Sequence, residues 1–234
     1  MILYANGCSH TAAAEAVVPD AFAVDDGRAG IDRRPHPENL AASWCTILSQ
    51  SLGADIVCQA ESASSNDRIL RTTKTWIEFN RDVLPNTLIA IQWTTWEREE
   101  WLWHGHYYQV NASGKDWVPK ELANRYKSYV MTVDYRQKTQ EWHDKIWRFH
   151  CWLRDQNIKH VMFNGWNTFR PIHHQQNWHG QYLDPYSDDH SYSSVLKNNG
   201  FKCATPDHGH FRADGHRFWA QYLLQYINRN QLLT

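Results

Sequence analysis

Short unbroken apolar runs alternate along this chain with stretches in which apolar residues return every three or four positions. Met1-Ile-Leu-Tyr-Ala-Asn6, closed by Gly7, is a run of the first kind, as are Ala54-Asp-Ile-Val-Cys-Gln59, Thr87-Leu-Ile-Ala-Ile-Gln92 and His160-Val-Met-Phe-Asn164. Each has the length of a strand buried on both faces. Between them, Leu40, Trp44, Ile47, Leu48 and Leu52 repeat at helical spacing from Glu38 to Leu52, with Gly53 as the stop. A second helix is expected after the cap residues Ser64 and Ser65, carrying Ile69, Trp76 and Ile77. The longest helix, 133–156, places Tyr135, Thr139, Trp142, Ile146, Phe149 and Leu153 on one face, and a last one covers 214–230. Phe201-Lys-Cys203 is a candidate fifth strand. Residues 19–39 read as a surface loop, 93–118 as a hairpin-like insertion turning at Ser113-Gly114, and 165–193 as a long loop rich in Trp, His, Tyr and Gln. The alternation predicts one domain over 1–234, a three-layer α/β/α sandwich around a mostly parallel sheet of about five strands. Its aromatic-rich insertions lie near 93–118 and 165–193. In such sheets ligands collect at the carboxyl ends of the strands.

Composition narrows the classes. In 234 residues, 13 Trp, 11 Tyr and 14 His stand against 11 Gly, which excludes low-complexity disorder. Lys plus Arg total 24 and Asp plus Glu 25, a net charge of −1, so no nucleic-acid partner is expected. No apolar run approaches the ~20 residues of a membrane span, and none is expected to enter a bilayer. Met1 leads into the first strand without a basic segment, so no secretory signal is expected. The five cysteines form no CxxC pair, which points to a reduced, cytoplasmic origin.

Three segments at predicted strand ends carry candidate chemistry. Gly7-Cys8-Ser9-His10 follows the first strand, where a serine hydroxyl would face the crevice beside free backbone N–H groups. Ser62-Ala-Ser-Ser-Asn66-Asp67-Arg68 follows the second, and small residues there allow close backbone approach; an ordinary helix cap reads the same way. Asp207-His-Gly-His210 precedes the last helix, and an Asp three residues before a His can hydrogen-bond its ring; a solvated loop is the plain alternative.

In this order the three segments resemble the SGNH/GDSL hydrolases, and look most like the compact SGNH-like proteins of phages and environmental bacteria. The likeness is specific in Met1-Ile-Leu-Tyr-Ala-Asn-Gly-Cys-Ser-His, in Ser-Ser-Asn-Asp-Arg-Ile, in Ile-Gln-Trp-Thr and in Asp207-x-x-His210. It implies a flavodoxin-like sheet and a catalytic triad of Ser9, His210 and Asp207. It also implies oxyanion or substrate contacts from Ala63, Ser64, Asn66 and Thr94, and neither cofactor nor metal. The implied reaction is hydrolysis of a small acyl ester, such as an O-acetylated carbohydrate. The implied place is the cytoplasm, or a virion if the protein is phage-encoded. The sequence departs from the family at Cys8, where Asp is usual, and at Ala63, where Gly is usual. Trp93-Thr-Thr-Trp96 stands where Gly-x-Asn-Asp would supply an oxyanion donor. That last departure motivates the alternative of a non-catalytic carbohydrate-binding or virion-associated module.

Other residues allow sharper readings. Cys8 is a second possible nucleophile, although its side chain would point away from the direction of Ser9. His104-x-His106, His173-His174 and His208-x-His210 could converge on zinc or nickel, but neither HExxH nor a cysteine pair accompanies them. Trp93, Trp96, Trp101, Trp103, Tyr107, Tyr108, Trp117, Trp166 and Trp178 are either a packing cluster under the insertions or an aromatic wall for a sugar or aryl group. Glu97, Arg98, Glu99 and Glu100 read as a solvated charge run, with substrate recognition as the alternative.

Overall fold

The computed structural model describes residues 1–23, 33–111, 118–205 and 209–233. Four parallel strands form the central sheet: β1 (Ile2–Asn6), β2 (Asp55–Cys58), β3 (Thr87–Trp93) and β6 (His160–Asn164), in the order β2-β1-β3-β6. Ala5 pairs with Cys58 on one side and Ala90 on the other, and Ala90 with Val161, so the carboxyl ends open at one edge. This is the doubly wound order expected of the α/β class.

Alternate strand residues face opposite layers. Leu3, Ala5, Leu88, Ala90, Val161 and Phe163 pack on α2 (Trp44–Ser51) and α7 (Ala213–Arg229) through Trp44, Leu48, Trp219, Leu223 and Ile227. Tyr4, Ile89, Ile91, Trp93 and Met162 pack on α3 (Asn66–Phe79) and α5 (Tyr135–Asp155) through Ile69, Ile77, Trp142, Ile146, Phe149 and Leu153. The three-layer sandwich follows directly from that alternation. No helix among the described residues is long and apolar enough to cross a membrane.

The fold departs from expectation in four places. Among the described residues the sheet has four strands: Cys203 makes only an isolated antiparallel bridge to Phe211, because its segment folds back on the entry to α7. The helix expected over 38–52 is divided into α1 (Pro37–Ala41) and α2, since the Ser43 hydroxyl accepts the Thr46 N–H at 3.2 Å and restarts the helix. Two helices were not anticipated, α4 (Ala123–Thr132) and α6 (Tyr192–Asn198). The 93–118 insertion holds the expected antiparallel hairpin, of β4 (Glu99–Trp103) and β5 (His106–Val110), and departs only in its turn. It turns at His104-Gly105, and Ser113-Gly114 lies outside the described residues.

Candidate functional site

The crevice is built where β1, β2 and β3 end. Gly7 turns the chain there. A Cβ on Gly7 would lie 2.2 Å from Thr11 Oγ1, and that hydroxyl donates to Gln92 Oε1 on β3 at 2.6 Å. Only glycine lets the loop pass this close. Cys8 C=O accepts the Thr11 and Ala12 amides at 2.9 and 3.0 Å, and Ser9 C=O accepts that of Ala14 at 2.9 Å. The segment after Ser9 is thus a tight string of turns rather than a regular helix. The amides of Ser9 and His10 find no acceptor among the described residues.

The turn after β2 lies against this loop, the Glu61 N–H reaching Gly7 C=O at 3.3 Å. Its foundation is a buried ion pair, Glu61 Oε2 to Arg68 Nε at 2.7 Å. Ala63 has φ +65°, the left-handed conformation that favours glycine, where the SGNH pattern has Gly. Its amide is also without an acceptor among the described residues. Ala63→Gly should therefore raise stability by about 0.5–1 kcal/mol, the left-handed penalty relieved less the entropy of glycine. Urea unfolding checks this, and a loss of stability would mean that the Ala63 methyl packs more usefully than its backbone is strained.

Two of the other expected oxyanion contributors, Ser64 and Asn66, are occupied. Ser64 N–H donates to Glu61 C=O at 3.1 Å. Asn66 accepts the Thr94 amide at 2.8 Å and donates its own to Thr94 C=O at 3.2 Å and Thr95 C=O at 3.5 Å. That two-way clamp ties the start of α3 to the end of β3, so the Asn66 amide is structural. The Thr94 hydroxyl is buried and has no hydrogen-bond partner in the structure. Among the described residues, the amides of Ser9, His10 and Ala63 and the Thr94 hydroxyl are left as available donors.

His210 arrives from the last loop. Its ring centroid is 5.5 Å from that of His10, edge to face, and its Nδ1 is 3.3 Å from Glu15 Oε2. Thr205 Oγ1 donates to the same carboxylate oxygen at 3.2 Å. Gly209, at φ +70°, sits so close to Trp166 that a Cβ would meet the indole at 2.8 Å. Asp207, the expected orienting acid, lies outside the described residues, as does His208. Glu15 was not singled out in the sequence, because nothing local connects Thr-Ala-Ala-Ala-Glu15 with the far end of the chain.

His10 is held neutral. The Trp166 indole N–H donates to its Nε2 at 2.5 Å, and an indole can only donate, so the imidazole proton sits on Nδ1. Burial, then the neighbouring His210, pushes the His10 value well below the ordinary range. Lys197 lies 4.7 Å over the outer face of Trp166, and Arg98 Nη1 donates to Ser64 C=O at 3.4 Å. Cys8 beside Ser9 is buried.

Most loop aromatics belong to the packing. Trp93, Trp96, Trp101 and Trp178 are buried, with Trp96 stacked on Phe169 at 4.9 Å. Trp103, Tyr107, Tyr108 and Trp166 are half-buried, and Trp117 lies outside the described residues. Trp166 is the one of these that the structure places against His10. The charge run is likewise structural in part. Glu100 takes a two-pronged contact from Arg71 at 2.6 and 2.8 Å, and Glu99 takes Lys138 at 2.6 Å, pinning the hairpin to α3 and α5. Among the described residues no three His, Cys, Asp or Glu side chains converge as metal ligands. A groove of about 610 Å³ between α5 and residues 171–176, lined by Gln137, Gln140, His143, His173 and His174, shares no residue with the crevice. It contains neither Ser nor Cys to serve as a nucleophile.

Fold and crevice together define a doubly wound α/β protein with a serine loop, a histidine and a carboxylate gathered at the strand ends. The chain belongs to a family of unknown function, DUF6071, whose model matches residues 30–233. That match includes Ala63, Asn66, Thr94 and His210, and begins after the Ser9 loop and Glu15. No curated protein matches the chain significantly.

Proposed function

We propose that the protein is a serine ester hydrolase of SGNH type acting on a small acyl ester. The observation that carries this reading is the approach of His210, with a carboxylate 3.3 Å from its Nδ1, to the loop that bears Ser9. In this reading a ring nitrogen of His210 accepts the Ser9 proton, and the nearby carboxylate favours the imidazolium that forms. Ser9 Oγ then forms a bond to the ester carbonyl carbon, and the oxyanion takes hydrogen bonds from the free amides of Ser9 and Ala63. The leaving alcohol receives its proton from His210. Water, deprotonated by the same imidazole, then attacks the acyl-enzyme and regenerates Ser9. An O-acetylated carbohydrate as the ester has Trp166 for an aromatic contact, the other candidate rings being largely committed to packing. The reading places the protein in the cytoplasm or on a virion and gives it no nucleic-acid partner.

The tied Asn66 amide favours a second reading, a non-catalytic carbohydrate-binding or virion-associated module on an SGNH-like scaffold. A fluorophosphonate probe separates the two. Wild type should be labelled at Ser9 and hydrolyse p-nitrophenyl acetate, and Ser9→Ala should do neither. A folded wild type that takes no label, or equal hydrolysis by both proteins, would leave the binding module as the better account.

A further inference from the structure

We propose that Glu15 is a positioning carboxylate of this site, setting the charge and placement of His210 through the ion-pair contact between them; the proposal rests on the hydrolase reading above. Glu15 Oε2 is 3.3 Å from His210 Nδ1, with side chains 12% and 18% exposed, so the pair is only partly screened by water. The Thr205 hydroxyl donates to the same oxygen at 3.2 Å and fixes the carboxylate's orientation.

The backbone is shaped to deliver this side chain. Thr11, Ala12, Ala13 and Ala14 are fully buried, and their small size lets the loop run through the interior before Glu15 emerges at the crevice. Ala13 and Glu15 both adopt the left-handed conformation, at φ +53° and +65°. That conformation is unfavourable for residues with a Cβ and persists where surrounding structure imposes it, often at functional sites. Just beyond these residues Asn39 of α1 anchors the chain, its Oδ1 accepting the Val17 and Val18 amides at 2.8 and 3.0 Å. The same loop therefore carries both the nucleophile and the group that orients its base. An SGNH pattern would place the orienting acid at Asp207, three residues before the histidine.

Among the described residues, the groups facing His210 include Glu15 and His10 on the loop after β1, Thr205 on its own loop, and His216 on α7. His10 and His216 are kept neutral by burial, and Glu15, at ion-pair distance, brings a negative charge that favours the imidazolium. Glu15→Gln keeps an acceptor at this place and removes only the charge. It should lower kcat by about 10²-fold with little change in KM. It should also move the acidic limb of the kcat/KM profile to lower pH, because an imidazolium without its carboxylate loses its proton more readily. The His210 ring signal, assigned by its disappearance in His210→Gln and followed by NMR, should titrate at lower pH in the same variant. A purely structural role for Glu15 would change the melting temperature and leave both titrations in place.

Asp207→Asn, measured beside it, divides the work between the two acids. If Glu15→Gln retains kcat, the acidic limb and the His210 titration while Asp207→Asn loses activity, the proposal is overturned and the SGNH assignment of the acid holds. A wild type that takes no fluorophosphonate label overturns the hydrolase reading and the catalytic sense of this proposal with it. A labelled wild type with an indifferent Glu15→Gln overturns this proposal alone.

Discussion

Arg68→Met is expected to destabilise the protein by about 3–5 kcal/mol, the usual cost of leaving one member of a buried ion pair without the other. Glu61 is 0% exposed and Arg68 5%, with 2.7 Å between their charged atoms. Arg68 also gives Nη1 to Gln59 C=O at 2.9 Å, so the substitution frees an end of β2 as well. The pair lies beneath the 61–65 turn, and its loss should loosen Ala63 and the amide assigned to the oxyanion. For a chain of this length the loss corresponds to a fall in melting temperature of roughly 6–20 °C. The double variant Glu61→Leu/Arg68→Met should recover most of it, because a well-packed apolar pair avoids the desolvation that the ions require. Arg170→Met is the surface control: Arg170 and Asp188 are 74% and 51% exposed, and their separation should leave the melting temperature close to that of the wild type. Equal melting temperatures for Arg68→Met and Arg170→Met would refute the assignment of Glu61–Arg68 as a structural pair.

Acid should unfold the protein well above the pH at which its carboxylates titrate. His216 is buried under Trp44 and Tyr192, accepting the Trp44 amide at 3.3 Å, and desolvation pushes its value down to about 3. His150 and His160 form a buried pair at the other end of the sheet. His160 gives its Nδ1 proton to Ile158 C=O at 2.8 Å, so its Nε2 accepts the His150 Nδ1 proton at 2.9 Å. Burial pushes these two down to about 4 and about 3. All three are neutral in the folded state, while the unfolded chain binds protons at the ordinary histidine value of about 6.5. The stabilisation from keeping them neutral is therefore complete above that pH and is lost as pH falls from 6.5 towards 3–4. At pH 5 the loss amounts to about 2 kcal/mol for each of His160 and His216, a large share of a typical folding free energy. Urea unfolding across pH 7 to 4.5 measures it. A flat profile would mean that these rings take up protons without unfolding. His216→Gln should lower stability at neutral pH and reduce the slope below pH 6.5.

The elements that could be read from the sequence are those with a local cause. β1, β3 and β6 are buried on both faces, so each is an unbroken apolar run. α5 and α7 advertise one apolar stripe each, and Ser65 caps α3 by accepting the Arg68 amide at 3.2 Å, as its neighbours suggested. The break at Ser43 was harder to see, because Leu40 to Leu52 keep helical spacing across a capping serine that also suits a helix interior. The aromatic loops were ambiguous for a related reason. Trp96 and Trp178 have no period of their own, and the same residues would serve a sugar site or a core. Stacking of Trp96 on Phe169, and an indole proton from Trp142 to Trp96 C=O at 3.0 Å, decide for the core.

Within the site, sequence order alone brought forward Ser9 and His210, since strand ends collect ligands and both residues fall beside predicted elements. It also pointed to Ala63, whose left-handed backbone explains why a glycine pattern applies there. Asn66 could not be judged in this way, because an amide three residues beyond a turn can clamp or donate, and only the position of Thr94 chooses between them. The sequence by itself determined the layered α/β class and the strand that carries the serine, because burial on two faces and helical spacing are written in neighbouring residues. The tertiary structure alone decided which amides are free, which aromatics are core and that Glu15 stands at His210. Those depend on contacts between segments from opposite ends of the chain, and no local pattern of apolar and polar residues encodes which side chain meets which across a folded sheet.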